Sequence, residues 1–200
     1  MAPTAPTPPA PPAAPAAVKI LIAGGFGVGK TTLVGSVSEV APLRTEELLT
    51  RASVGVDDLS GVDSKNTTTV ALDFGRITVN ADLVVYLFGT PGQERFWFMW
   101  NDLVNGALGG IVIADTRRLD TSFASIDFFE SRGIPFVVAI NCFHAHNTRT
   151  PDEIRAALDL DPQVPMLLGD VRERSFGRDL LLALVDHLMD LSAVRAAPVG

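Results

Sequence analysis

The stretch GGFGVGKTT, residues 24–32, follows directly on the apolar run VKILIA of residues 18–23 and precedes Leu33, Val37 and Val40, which recur at helical spacing. Gly24, Gly29, Lys30 and Thr31 satisfy the pattern G-x-x-x-x-G-K-[ST], here in the strand-then-helix setting that gives the pattern its meaning. Small residues let successive backbone N–H groups converge on phosphate oxygens, and the N-terminus of the following helix adds its positive end. Gly24, Gly27, Val28, Gly29 and Thr32 would form the cradle. Lys30 would reach the β and γ phosphates, and the Thr31 hydroxyl would ligate Mg2+. The plainer reading, a glycine-rich turn that lets strand and helix pack closely, leaves the Lys-Thr pair in register without a reason. Phe26 occupies a loop position where bulk either crowds the γ-phosphate or folds outward onto a neighbouring segment.

Outward from this loop, short β-rich runs alternate with helix-patterned segments, the order expected of a mostly parallel sheet covered by helices on both faces. Six strands are expected: VKILIA, VALDFGRITV, DLVVYLF, GGIVIA, PFVVAI and PMLL. The second and third are joined through Asn80-Ala81, a connection suited to an antiparallel hairpin. Leu119, Phe123 and Ile126 suggest one helix face, and Leu181, Leu184, Val185 and Leu188 the face of a closing helix. Thr150-Pro151-Asp152-Glu153 reads as an N-cap with proline in the first turn and an acid three residues on. Residues 41 to 67 exceed an ordinary connection, which marks them as functional or mobile, with a helical turn expected around Thr45 to Ala52.

Composition bounds the rest. The chain has 200 residues, 47% of them hydrophobic, enough for one α/β domain with a sizeable core. Residues 1–17, MAPTAPTPPAPPAAPAA, read as a disordered Pro/Ala-rich tail ahead of a domain at 18–200. The net charge of −7 argues against a broad footprint for nucleic acid or anionic lipid, so phosphate binding must be local. The apolar runs are strand-length rather than the ~20 residues of a membrane span, so no direct membrane insertion is expected. A single cysteine, Cys142, at the end of an apolar strand suits a reducing compartment, and a cytoplasmic location is the simple expectation.

A second segment, LFGTPGQERF at residues 87–96, follows a strand and carries Gly92-Gln93, but position 89 holds Gly where an acid would help to hold Mg2+. The loop at 24–31, TPGQ after a third strand, AIN after a fifth and GDVR after a sixth stand in the order of the Ras-like GTPase motifs. From residue 18 to about 191 the chain resembles that P-loop superfamily, and within it the bacterial MglA-type branch and the conservon GTPases of actinobacteria, on GGFGVGKTT and FGTPGQ. The resemblance implies a Ras-like fold that binds GTP and GDP with Mg2+. Gly92 would offer its N–H to the γ-phosphate, and Gln93, the catalytic residue beside Lys30, would orient the attacking water. Thr69, or Thr68 if the register of the triple threonine shifts, would complete the Mg2+ shell. Gly89 is then expected to weaken metal affinity without abolishing the site, because Mg2+ takes most of its holding from the phosphates it bridges. The resemblance further implies a Roadblock/LC7-type partner and a sensor-kinase assembly, with recruitment to the membrane through those partners.

Guanine selectivity in that superfamily rests on N-K-x-D, and this chain has Asn141-Cys142-Phe143-His144. Asn141 matches, whereas His144 replaces a two-oxygen fork with at most one acceptor. Asp170-Val171-Arg172 resembles the second base-reading loop, with the Val171 N–H facing the guanine carbonyl. Cys142, His144 and His146 make at most a partial metal shell and read as loop residues. Phe96, Trp97, Phe98, Met99 and Trp100 divide on any helix between core and an exposed patch beside the sensor. Two function classes follow: a switch with slow GTP hydrolysis, in which the γ-phosphate orders residues 41–69 and 89–104, and a pseudo-GTPase that holds nucleotide without significant hydrolysis or strict selectivity.

Overall fold

The structure, a computed structural model, describes residues 14–41, 43–50, 67–142 and 149–196. Its sheet grows from β1 (Ala16–Ala23), whose alternation sends Ile20 and Ile22 to one face and Leu21 and Ala23 to the other. Burial on both sides is what a strand needs at the centre of a covered parallel sheet. β1 starts two residues before the apolar run because the Ala16 N–H bonds the Asp82 carbonyl at 2.7 Å. The remaining strands are β2 (Leu43–Thr50), β3 (Thr67–Asn80), β4 (Leu83–Gly89), β5 (Ala107–Asp115), β6 (Phe136–Asn141) and β7 (Met166–Gly169). Their order is β2-β3-β4-β1-β5-β6-β7. The run β4-β1-β5-β6-β7 is parallel, and β2 and β3 extend it as antiparallel neighbours.

All six expected strands are present, and β2 is a seventh. It occupies most of the span where a helical turn was expected around Thr45 to Ala52. Pairing along the whole of β2, from Leu43 opposite Phe74 to Thr50 opposite Thr67, outweighs the weak helical preference of LRTEELL. Of the segment 41–67, residues 42 and 51–66 lie outside the described residues.

Among the described residues five α-helices cover the sheet: α1 (Lys30–Val37), α2 (Trp100–Leu103), α3 (Phe123–Ser131), α4 (Pro151–Ala157) and α5 (Arg174–Ala196). On one face Leu33, Val34 and Val37 of α1 and Leu180 and Leu184 of α5 close over Ile20, Ile22, Ile111 and Val137. On the other, Trp100, Ile126, Phe129 and Ile154 from α2, α3 and α4 close over Leu21, Val112 and Val138. The Thr150 hydroxyl accepts from the Glu153 N–H while the Glu153 carboxylate accepts from the Thr150 N–H, so the expected capping box starts α4. Three expected face residues are exposed: Val40 lies beyond the end of α1, where Ser38 turns the chain extended, Phe123 begins α3 after a 3-10 turn that offsets the helical spacing from Leu119, and Val185 yields its place in α5 to Leu180. Gly177 lets α5 lie against α1, since a Cβ there would overlap Val37 Cγ1.

Candidate functional site: a phosphate cradle at the C-terminal edge of the sheet

The loop between β1 and α1 is built on left-handed glycines. Gly24 has φ +136° and Gly29 +112°, angles that side-chain-bearing residues rarely adopt. At Gly24 a Cβ would also overlap the Ile113 carbonyl, so the chain turns against β5 there only because the residue is glycine. At Gly29 a Cβ would stand 2.8 Å from Val171 Cγ2 and 3.1 Å from Asn141 Nδ2, so the missing side chain lets two further loops close on this one.

Lys30 is buried, and its Nζ donates to the carbonyls of Gly24 at 2.9 Å and Gly25 at 2.7 Å. Burial lowers its pKa to about 8 against the opposing pull of the Asp73 charge. An ammonium held on carbonyl oxygens beside an open cleft is poised for an anion. That cleft, about 390 Å3, is lined by Phe26, Gly27, Gly29, Lys30, Thr31 and Thr32 from the loop and the start of α1, by Asp73 from β3, and by Thr90, Pro91 and Gly92 after β4. Gly92 lies hard on the loop: a Cβ added to it would be 2.5 Å from Lys30 Nζ and 2.9 Å from the Gly25 backbone.

Asn141, at the end of β6, is buried and joins the loops. Its Nδ2 donates to the Val28 carbonyl at 2.9 Å, and its Oδ1 accepts from the Val171 N–H at 3.4 Å. The N–H expected to meet a base therefore faces Asn141 in this structure. Asp170 is gripped by the residue two places on: Oδ1 accepts from the Arg172 N–H at 2.9 Å, and the guanidinium spans both oxygens at 2.5 to 2.9 Å. Asp115, at the end of β5, makes the same arrangement with Arg117, at 2.7 to 3.2 Å, and the Arg117 guanidinium holds its carboxyl below the usual range.

Most of the expected residues thus converge: Gly24, Gly27, Val28, Gly29, Lys30, Thr31, Thr32, Gly92, Asn141 and Val171 surround one cradle, while the Asp170 carboxylate is turned to Arg172. Gln93 is partly exposed and is not among the residues lining the cleft. Thr69 lies in β3 opposite Leu48, four residues before Asp73. His144 and His146 lie outside the described residues. The Cys142 thiol is pushed up by burial and donates to the Ile140 carbonyl at 3.6 Å. Phe26 is 68% exposed and also lines the cleft, so its side chain stands at the rim beside the loop; its carbonyl accepts from Arg118 at 3.3 Å. The aromatic run divides as expected, with Phe96, Met99 and Trp100 buried and Phe98 60% exposed. Trp100 Nε1 donates to the Pro91 carbonyl at 3.1 Å and its ring meets Phe128 edge-on, tying the loop after β4 to α2 and α3.

One contact went unforeseen in the sequence. The Thr31 hydroxyl donates to Asp73 Oδ2 at 2.6 Å, across from β3.

Residues 22–191 match the family described as conserved hypothetical ATP binding protein. This chain belongs to that family. Over 126 residues it is 32% identical to an uncharacterized protein of Methanocaldococcus jannaschii, covering 62% of this chain and 69% of that one. Among solved structures it is similar to the cytosolic domain of the Thermotoga maritima FeoB iron transporter in a GDP form, with TM-score 0.61 and 16% identity over 88% of this chain and 65% of that one. The FeoB G-domain of Methanococcus jannaschii gives TM-score 0.57 at 12% identity, over 86% and 98% of the two chains. At such identities the likeness establishes the fold, that of P-loop G-domains. Among the described residues no helix is long and apolar enough to cross a membrane.

Proposed function

We propose that this protein binds a purine nucleoside triphosphate, GTP in preference, with Mg2+, and that slow hydrolysis times a switch. The observation that carries this reading is the packing of Gly92 against Lys30 and Gly25, which puts the loop after β4 where a terminal phosphate must enter. A γ-phosphate held by the Lys30 ammonium meets the Gly92 backbone directly, and the segment it displaces is coupled through Pro91 to Trp100 and α2. Lys30 and the loop amides stabilise charge on the phosphates, and Thr31, with Thr69, would offer hydroxyl oxygens to Mg2+. Bound there, Mg2+ would supply charge neutralisation across the β and γ phosphates. Gln93 turns toward the cleft as the loop moves and orients water. Asn141 fixes the cradle to the base-side loop, where Val171, Asp170 and His144 meet the purine.

The family description, the G-domain fold of the solved neighbours and the motif order support this reading, and the motifs favour the MglA-type and conservon branch. On that branch the partners are a Roadblock/LC7-type protein and a sensor-kinase assembly, which would bring the protein to the membrane. The second reading, a pseudo-GTPase, is favoured by Gln93 standing outside the cleft lining. Incubation with labelled GTP and ATP, with and without Mg2+, followed by filter binding and phosphate release, tests both. Tight GTP retention with slow release of phosphate supports the switch. Retention without release selects the pseudo-GTPase, and no retention of either nucleotide refutes both.

A further inference from the structure

We propose that Asp73, on β3, supplies the carboxylate of the Mg2+ site that position 89 on β4 lacks. The proposal rests on the nucleotide-binding reading above and assigns a role to a residue outside the recognised motifs.

β3 and β4 are antiparallel, and Asp73 stands directly opposite Gly89. Directly opposed residues of an antiparallel pair project from the same face of the sheet, so a carboxylate at 73 emerges beside the place where one at 89 would emerge. Gly89 makes the room. A Cβ built on it would lie 2.9 Å from Asp73 Cβ and 3.1 Å from Asp73 Oδ2, so the Asp73 side chain already fills the volume a residue at 89 would claim. The carboxylate is aimed at the metal-ligating position of the loop, for Oδ2 accepts the Thr31 hydroxyl at 2.6 Å. Asp73 and Thr31 line the same cleft as Lys30.

The donor set suits the ion. Mg2+ takes hard oxygen ligands, keeps several waters, and is held by one or two carboxylates together with the phosphates of its nucleotide. One hydroxyl and one carboxylate on the wall of a phosphate cleft match that demand. By taking the Thr31 proton in its hydrogen bond, Asp73 also leaves a lone pair of Thr31 Oγ1 free for the cation. Glycine at 89 and aspartate at 73 are then two halves of one arrangement: the acid has crossed to the neighbouring strand, and its former position has become small to admit it.

The test uses the full chain, fluorescent mant-GTP and mant-ATP as probes, a Mg2+ titration of nucleotide retention, and Mn2+ bound to the GDP complex followed by electron paramagnetic resonance. In Asp73→Asn the Mg2+ concentration giving half-retention should rise about ten-fold or more, with a parallel loss of Mn2+ affinity. Moving the acid back, in the double variant Asp73→Gly with Gly89→Asp, should restore most of the wild-type midpoint. Gly89→Asp alone, which forces two carboxylates into the volume of one, should not improve it. An Asp73→Asn midpoint equal to wild type, or tighter nucleotide binding at an unchanged midpoint, overturns the proposal. Should Asp73→Asn melt early, the double variant decides: a restored midpoint supports the proposal and a lost one overturns it. Wild-type protein that retains neither probe at any Mg2+ concentration would instead refute the nucleotide-binding reading itself.

Discussion

Replacing Asn141 by alanine should unfasten the phosphate cradle from the loop after β7, and the size of the effect can be worked from two hydrogen bonds. Asn141 is 1% exposed, so neither the Val28 carbonyl nor the Val171 N–H that it engages gains bulk water when the amide is removed. Leaving a buried polar group unsatisfied costs about 1–3 kcal/mol. The Val28 contact, at 2.9 Å, should carry the larger share, because the Val171 contact, at 3.4 Å, is long for an N–H···O bond. A total of about 2–4 kcal/mol follows, with the lower end applying if a water enters the vacated space and bridges the two groups. For a domain of this size each kcal/mol moves Tm by about 2–4 °C, so thermal unfolding followed by circular dichroism should show a drop of about 5–15 °C. Hydrogen exchange on the same variant should show faster opening at Val28 and Val171 than in β1. A Tm within about 2 °C of wild type would refute the reasoning, because it would mean that the amide does not join the two loops.

Three further outcomes are expected. Lys30→Met should abolish retention of labelled nucleotide yet raise the Tm of the nucleotide-free protein, since it removes a buried ammonium whose pKa is lowered to about 8. The sign with pH follows: between about 8 and the ordinary lysine value of 10.5 the unfolded chain binds more protons than the folded one, so wild-type stability should rise relative to Lys30→Met across that window, as paired melts from pH 7 to 10 would show. Gly177→Ala sets a helix-propensity gain of about 1 kcal/mol against an overlap with Val37, and overpacking of about 1–3 kcal/mol should win, lowering the urea midpoint. Phe26→Ala, at an exposed position, should change stability by less than about 0.5 kcal/mol in the same titration.

The fold was legible where local chemistry is self-sufficient. The loop at 24–32 announces itself because phosphate binding demands glycines and Lys-Thr at fixed offsets, and the capping box at Thr150 is complete within four residues. β2 was not legible, because LRTEELLT has no strand-forming pattern of its own and exists as a strand through its pairing with β3. Asp73 was hidden by register. Counting back from a turn at Asn80-Ala81 sets residue 73 opposite Phe88, but the turn itself spans Ala81 and Asp82, and the pairing slips between Thr78 and Asn80. A one-residue slip moves a side chain to the other face of a sheet, so the partner of Gly89 follows from a bulge that no motif encodes.

The paired staples at Asp115–Arg117 and Asp170–Arg172 bear on how an acidic protein admits a polyanion. Both acids stand where parallel strands end, on the rim toward which a nucleotide diffuses, in a chain of net charge −7. Each is cancelled by an arginine two residues on, so the rim presents near-neutral dipoles in place of bare negative charge. Swapping either arginine for glutamine should therefore slow the association of nucleotide, most at low ionic strength, while leaving the dissociation rate nearly unchanged.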